Sequence, residues 1–240
     1  MVTFNYRDFL GSGILTRLGT PYGGWWVPTE YLQNNLKTKK ILISAGLGHD
    51  VSFDVAMRAA GFTIIGLDPT EDAYVGATNT FQNETQVKII NKGLWTSSGF
   101  QRFYKPRVAG HDSFSITNSQ NQDEYFKFET ISIKDLVNSD VDINEFKIKI
   151  LKMDIEGAEV AILSDLMEQD LRFDFIAAEI DYLSVIPFKR FRQRFNAIVL
   201  VCGLLKDMKQ AGYLLIKYEH YNFFWASNDR LSKASNQDTV

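Results

Sequence analysis

The sequence predicts an α/β fold: a doubly wound, mostly parallel sheet in which the last strand runs antiparallel. Between residues 40 and 227, short apolar runs alternate with amphipathic segments and with Gly or Pro breaks. Such alternation is the pattern of βαβ units, which build a parallel sheet covered on both faces. The last two apolar runs, 213–220 and 223–228, are separated by only a couple of residues. That spacing is too short for a crossover helix, so we expect these two strands to lie antiparallel.

The composition is that of one globular domain spanning residues 1–240. Hydrophobic residues make up 45% of the chain and charged residues 23%, and the formal net charge is -3. This charge balance gives no reason to expect a nucleic-acid partner. The longest apolar run, 197–205, is too short to span a bilayer, and the first residues lack the pattern of a signal peptide. We therefore expect a cytoplasmic protein with no membrane partner, and the sequence leaves its oligomeric state open.

The predicted elements follow in chain order. Strands are expected at 39–46, 62–68, 87–95, 146–154 and 173–180, before the final pair. Helices are expected at 51–60 and 71–81, after the fourth strand, and at 189–211. Asp50 is placed to cap the first helix and Gly61 to end it, and Gly212 should end the last one. In that last helix the predicted buried face carries Phe191, Phe195, Ile198, Cys202 and Leu205. Cys202, the single cysteine, is accordingly expected to be a small buried apolar residue.

Two regions do not fit the alternating pattern. Residues 1–37 form an N-terminal extension that contains "GTPYGGWWVP". Residues 96–130 contain short strand-like runs between polar turns, and we interpret them as a β-rich insertion above the carboxyl edge of the sheet. The extension is expected to pack on the domain as a strap, although its aromatic side chains could also cover a ligand.

The end of the first strand is the expected ligand site, because ligands of open parallel sheets bind beyond the carboxyl ends of the strands. In "SAGLGHD", Gly46 and Gly48 allow a tight turn and a close approach of the backbone to a ligand. Ser44 and Asp50 flank the two glycines, and all four are candidate cofactor contacts. The alternative is an ordinary tight turn between a strand and a helix.

Two further residues are candidate cofactor contacts. Asp68 ends the second strand twenty residues after Gly48, where an acid can accept hydrogen bonds from ribose hydroxyls. The alternative is that Asp68, which precedes a proline, simply forms a turn. Trp95 follows the third strand and could stack on an adenine ring, or it could pack on the rim of the core.

The glycine pattern favours one cofactor over another. Dinucleotide-binding turns have a third glycine three residues after the second, and here that position holds Val51. Asp50 also places a negative charge where a pyrophosphate would lie. S-adenosylmethionine carries a sulfonium cation and an amino-acid group, and both are compatible with that charge. A nucleotide-dependent oxidoreductase and a non-catalytic nucleoside-binding protein remain as alternatives.

Four segments resemble the FkbM-type S-adenosylmethionine-dependent methyltransferases: "GLGHDVSFD", "GLDPT", "TISIKDLV" and "LKMDIEGAEVAIL". The resemblance covers about residues 40–182. It implies the class I methyltransferase fold, a Rossmann-like sheet of seven strands whose last strand is reversed. It also implies transfer of a methyl group to a hydroxyl of a sugar or another small metabolite. One position departs from the family, because many members have a histidine where this chain has Asp181.

Carboxylates at two strand ends are the candidate catalytic groups. Asp154 and Glu156 follow the fourth strand and Glu179 ends the fifth. In the order of strands that the resemblance implies, these two strands are neighbours, so the side chains should converge. Either Asp154 or Glu156 could take the proton from an acceptor hydroxyl. A divalent metal held by Asp154 and Glu179 is the less favoured alternative, because no His or Asn accompanies the acids. Glu159 is interpreted as a residue of the first helical turn.

Overall fold

The computed structural model describes residues 15–33, 38–105, 114–116, 123–169, 171–180 and 191–231, with the backbone alone for 191–194. The strands in chain order are β1 Leu15–Leu18, β2 Trp25–Pro28, β3 Lys40–Ala45, β4 Thr63–Leu67, β5 Val87–Ile90, β6 Gly93–Leu94, β7 Gly99–Tyr104, β8 Tyr125–Ile131, β9 Ile148–Met153, β10 Phe175–Glu179, β11 Tyr213–Glu219 and β12 Asn222–Ser227. The α-helices are α1 Ser52–Ala59, α2 Glu71–Thr80, α3 Ile133–Ser139, α4 Glu159–Glu168 and α5 Phe191–Gln210. Short 3-10 helices cover Thr29–Leu32 and Ile143–Glu145.

The central sheet has seven strands in the order β11-β12-β10-β9-β3-β4-β5. β10, β9, β3, β4 and β5 are parallel to their neighbours. β12, the last strand, runs antiparallel to β10 on one side and to β11 on the other. The predicted fold class is therefore confirmed, including the reversed last strand.

The core lies on both faces of this sheet, because the central strands point apolar side chains to one face and the other in alternation. Along β3, Ile41 and Ile43 face a cluster that includes residues of α3, α4 and α5. Leu42 faces the opposite cluster, in which α1 and the first hairpin contribute Phe53 and Trp25. Burial on both faces explains why these strands appear in the sequence as continuous apolar runs.

The predicted ends of two helices are confirmed, but the predicted cap of α1 is not. Gly61 and Gly212 both have positive φ, 87° and 86°, as expected for residues that end a helix. The N-cap residue of α1 is Val51, and Asp50 precedes it; the Asp50 side chain accepts from the backbone N–H of Ser52 at 3.0 Å. The short helix α3 was not predicted; Ser132 caps it by accepting from Asp135 N at 3.0 Å.

The prediction that Cys202 is buried was wrong, because α5 packs on the sheet with a different face. Cys202 is exposed, and so are Phe195 and Ile198 of the predicted buried stripe. The side chains of this helix that are buried are Ala197, Val201, Leu204 and Met208. Apolar residues occupy two adjacent stripes of α5, so periodicity alone could not distinguish the one that packs.

Two small sheets stand outside the central one. β1 and β2 form an antiparallel hairpin, which we call the strap. The insertion forms a three-stranded sheet in the order β6-β8-β7, and Tyr104 of β7 bridges to Ser115. The predicted strand-like runs at 99–104 and 124–131 are β7 and β8, and the insertion's run at 113–117 lies partly outside the described residues. No helix in the described part of the chain is both long and apolar enough to cross a membrane.

Candidate functional site

A cavity of about 790 Å³ lies at the carboxyl edge of the parallel strands, and we call it the edge cavity. The turns that follow β3, β4, β9 and β10 form its floor. Its sides are the tip of the strap, the insertion and the β11–β12 hairpin. The cavity is large enough for a drug-sized ligand, and it stands where open parallel sheets bind their ligands.

The turn after β3 needs glycine because two strand ends approach each other closely there. Gly46 has a φ of 76°, and a Cβ atom at this residue would lie 1.8 Å from the carbonyl oxygen of Asp154. Gly48 also has positive φ, 54°, and open space surrounds the position of its absent side chain. Both glycines line the edge cavity, as predicted.

Asp68 holds the glycine turn in place. Its Oδ2 accepts from the backbone N–H groups of Leu47 and Gly48 at 3.0 and 3.1 Å. Its Oδ1 accepts from the backbone N and the hydroxyl of Thr70 at 2.9 and 2.6 Å. A carboxylate offers about four acceptor positions, so all of them have a donor within the chain. Asp68 lines the edge cavity, but a ribose hydroxyl would have to share an oxygen with these donors.

Asp50 joins the glycine turn to the strap. The Thr20 hydroxyl donates to Asp50 Oδ2, and the Thr20 backbone N donates to Ser52 Oγ at 2.9 Å. A Cβ on Gly23 would lie 2.7 Å from the Asp50 carboxyl group, so the strap fits here only without a side chain. Burial alone would raise the pKa of Asp50, but hydrogen bonds from Ser52 and Thr20 outweigh it and lower the pKa. Asp50 is thus a structural contact as well as a cavity residue.

The structure brings the three candidate catalytic carboxylates to one cavity. Asp154, Glu156 and Glu179 all line it, because β9 and β10 are adjacent parallel strands. The Asp154 side chain is 36% exposed. Glu156 has a φ of 56°, which is uncommon for a residue with a side chain. Glu159 is the first residue of α4, as interpreted, but it is buried.

The buried Glu159 carboxylate fixes the turn that presents Asp154 and Glu156. Its Oε1 accepts from Ile155 N at 2.8 Å, and its Oε2 accepts from Gly157 N at 2.9 Å. Gly157 adopts a φ of 98°, so the turn after β9 also depends on a glycine.

Lys152 of β9 is a site residue that the sequence analysis missed. Its ammonium group donates to Gly46 O and lies 3.9 Å from Asp154 Oδ2, although its side chain is only 6% exposed. A second lysine, after Lys149, inside a buried strand is the signal that could have revealed it, because buried charges are normally paired. Lys152 lines the edge cavity and ties the glycine turn to the carboxylate of Asp154.

Ser44 does not reach the edge cavity, so the structure does not support a cofactor contact there. Its side chain is fully buried, and among the described residues neither Ser44 Oγ nor Asp54 Oδ1 has a hydrogen-bond partner. Asp54 belongs to α1 and is also buried. Burial raises the pKa of the Asp54 carboxyl group, and the positive charge of Lys152 offsets only part of this effect.

Aromatic side chains of the insertion form an apolar wall of the edge cavity. The wall consists of Phe103, Phe114, Phe126 and Phe128. Phe114 meets Phe126 and Phe128 edge-on, with ring centroids 5.5 and 5.7 Å apart. The Ser115 hydroxyl donates to Glu156 O, which anchors the wall beside the acidic turn. Trp95 is not part of this wall, since it packs against the core and lines a separate cavity of about 480 Å³. Adenine stacking on Trp95 is therefore not supported.

The β11–β12 hairpin closes the cavity next to β10. Its tip, Glu219 to Asn222, lines the cavity, and Glu219 Oε2 accepts from Trp26 Nε1 of the strap at 2.8 Å. Burial would raise the pKa of Glu219, but the hydrogen bond from Trp26 is the larger effect and lowers it. The sequence analysis predicted the hairpin, but it did not place the tip at the site. Asp181, where the chain departs from the family pattern, lies outside the described residues.

The candidate cofactor contacts and the candidate catalytic carboxylates occupy adjoining parts of the edge cavity. The glycine turn, Asp68 and Asp50 surround one part of the cavity, and the carboxylates of β9 and β10 surround the next. In the described part of the chain, no three His, Cys, Asp or Glu side chains are grouped so that they could hold a metal ion.

Two solved structures are similar to this chain at low sequence identity. A fibrillarin pre-rRNA processing protein from Methanococcus jannaschii aligns over 82% of this chain and 69% of its own, with a TM-score of 0.42 and 8% identity. A candidate methyltransferase from Streptococcus mutans in complex with S-adenosylhomocysteine (SAH) aligns over 82% and 92%, with a TM-score of 0.40 and 12% identity. No curated protein matches the sequence.

The comparison with protein families is specific. The family described as Methyltransferase FkbM domain matches residues 22–215, a span that begins in the strap and ends in β11. It includes the glycine turn, the insertion and both acidic strand ends. With this match and the class I order of its strands, the chain belongs to the FkbM methyltransferase family.

Proposed function

We propose that this protein transfers the methyl group of S-adenosylmethionine to a hydroxyl group of a sugar or another small metabolite. The observation that carries the proposal is the edge cavity, in which a glycine turn typical of nucleoside sites opens beside the carboxylates of Asp154 and Glu179. One cavity can therefore hold a donor and an acceptor together, and positioning two bound partners supplies much of the rate of such transfers.

The donor would lie against the glycine turn. Gly46 and Gly48 let the backbone approach the ligand, and Asp68 holds the turn by accepting from Leu47 N and Gly48 N. Asp50 adds a negative charge beside the turn, which favours a cationic donor over a pyrophosphate. When bound, S-adenosylmethionine supplies an activated methyl group on a sulfonium cation.

The acceptor would lie between the acidic strand ends and the phenylalanine wall. We propose that Asp154 accepts a hydrogen bond from the acceptor hydroxyl. Its side chain is open to the cavity, and the Lys152 ammonium group lies nearby. Glu156 and Glu179 flank it and would bind other polar groups of the acceptor.

Two measurements test the donor and the chemistry. SAH should raise the melting temperature of the protein, since a ligand at a hundred times its Kd stabilises a folded protein by about 2.7 kcal/mol. NAD at the same concentration should have little effect. A shift with NAD and none with SAH would favour an oxidoreductase. SAH binding without methyl transfer to any hydroxyl compound would favour a non-catalytic nucleoside-binding protein.

Asp154→Asn tests the acceptor half of the site. We expect SAH affinity to stay within about twofold while methyl transfer falls by about a hundredfold, because the contact is made with the acceptor and not with the donor. Glu168→Gln makes a comparable change at an exposed position of α4 and should leave both quantities unchanged. Unchanged turnover in Asp154→Asn would remove this residue from the proposal.

A further inference from the structure

His220 stands at a strained position of the β11–β12 hairpin. It is the first residue of the two-residue loop between β11 and β12, and its φ is 55°. Hairpin loops that need positive φ at this position usually have Gly or Asn there. A residue with a larger side chain costs roughly 1–2 kcal/mol in this conformation. Gly would therefore suit the turn itself better than His220 does.

The strain coincides with the edge cavity. In the described part of the chain, Glu156 and His220 are the non-glycine residues with positive φ, and both line this cavity. Strained backbone tends to persist at functional sites, where the rest of the structure holds it. Positive φ is thus found at two separate strand ends that both line the edge cavity.

The hairpin tip is held firmly above the end of β10. Asn222 pairs with Glu179 in the sheet, and Ile180 N donates to Tyr221 O at 2.8 Å. The Glu219 carboxylate is fixed from the other side by the indole N–H of Trp26. These contacts place His220 on the rim of the cavity beside the acidic strand ends, with its side chain exposed.

We propose that His220 takes the proton of the acceptor hydroxyl during methyl transfer. The assignment rests on the proposed function. The hydroxyl oxygen forms a bond to the methyl carbon as the bond from that carbon to sulfur breaks. The oxygen's proton passes to the neutral imidazole of His220, and the products are the methyl ether and SAH. Because the side chain is exposed on the rim, the imidazolium can then release this proton to water.

Histidine suits this task better than the carboxylates do. A general base is most effective when its pKa is close to the working pH, and imidazole is the side chain that meets this condition near neutrality. Asp154 lies 3.9 Å from the Lys152 ammonium group, so it is placed to orient the acceptor as part of an ion pair. His220 shares the lining of the edge cavity with the carboxylates of Glu179, Asp154 and Glu156. Its neighbour on the hairpin, Glu219, also interacts with the charges of Lys217 and of Arg17 on the strap.

Two substitutions separate a catalytic histidine from a turn residue. His220→Gly relieves the backbone strain, and His220→Asn keeps a residue that tolerates positive φ. Both remove the imidazole. If the histidine served only the turn, both variants would be at least as stable as the wild type and fully active. If it takes the proton, they would be at least as stable and yet lose turnover.

The measurement is methyl transfer from radiolabelled S-adenosylmethionine, as a function of pH, to the best acceptor in a panel of monosaccharides, methyl glycosides and phenols. We expect kcat near neutral pH to fall by about a hundredfold in both variants, and the deficit to shrink as hydroxide replaces the base. SAH affinity should stay within about twofold. Tyr218→Phe, on the same hairpin but outside the cavity lining, should behave as the wild type.

The outcomes are distinguishable from a failure of the proposed function. If both variants kept the kcat and the pH dependence of the wild type, the role of His220 would be overturned and the methyltransferase proposal would stand. Absence of methyl transfer by the wild type to every acceptor in the panel would count against both.

Discussion

At the scale of one residue, Asp68 shows that a carboxylate lining a ligand site can also hold the backbone around that site. Its carboxylate holds Leu47 N, Gly48 N and Thr70, and it is almost completely buried. The sequence position correctly predicted an acid at the cavity. It could not reveal that the acceptor positions were occupied, because two of the donors, Leu47 N and Gly48 N, come from the turn after a different strand.

Asp68→Asn should therefore weaken both the turn and donor binding. An amide in place of the carboxylate points N–H groups at backbone donors, and each unpaired buried donor costs about 1–3 kcal/mol. We expect SAH affinity, measured by calorimetry, to fall by at least about tenfold, with a lower melting temperature. Thr70→Val removes only the hydroxyl donor to Oδ1 and should have a smaller effect on both. Equal effects of the two variants would contradict the holding role of Oδ2.

Asp54 makes stability depend on pH. Burial raises the pKa of its carboxyl group in the folded protein, so the folded state binds this proton more tightly than the unfolded chain does. The stabilising contribution is complete below the unfolded pKa of about 4. It is lost as pH rises from there through the raised folded pKa. Each unit of elevation corresponds to about 1.4 kcal/mol.

Asp54→Asn should remove this pH dependence. The free energy of unfolding of the variant, measured with urea, should gain on that of the wild type as pH rises from mildly acidic to mildly alkaline. Asp165→Asn, on the partly exposed side of α4, provides the matched control and should show no such trend. A difference between Asp54→Asn and the wild type that stays constant with pH would show that Asp54 is ionised throughout.

At the scale of elements, α5 illustrates what a sequence pattern leaves undetermined. The length of the helix and its end at Gly212 followed from periodicity and glycine. Its orientation did not, because neighbouring stripes of the helix are similarly apolar. The stripe that packs is the one whose side chains, such as Leu204 and Met208, fit against the sheet. Such a fit is a property of the tertiary structure and not of the helix.

The exposed thiol of Cys202 provides a direct test of this orientation. Cys202 is the single cysteine of the chain, so one equivalent of a thiol reagent such as DTNB should react with the native protein without denaturant. Cys202→Ser should abolish the reaction and change stability by less than about 1 kcal/mol, as for other exposed positions. If the thiol reacts only after unfolding, α5 packs with the face first predicted from the sequence.

At the scale of the whole molecule, the sheet was predictable and the cavity was only partly so. Strand order followed from alternating elements, a short final connection and the family resemblance, and the structure agrees with it. The floor of the cavity was also foreseen, because Gly46, Asp68 and Asp154 end parallel strands. The insertion was expected above this edge and the N-terminal extension as a strap. Neither the phenylalanine wall nor the hairpin tip was placed at the site, since the paths of these loops depend on long-range contacts.

The hydrogen bond between Trp26 and Glu219 joins residues 193 positions apart and has a consequence for how the protein is made. β12 lies between β10 and β11, so the sheet cannot be completed until the last strand has been synthesised. The strap therefore leaves the ribosome well before its partner on the hairpin. Contacts of such long range form late and slow the folding of a chain. The nascent chain therefore closes the ligand site only after the β11–β12 hairpin has emerged.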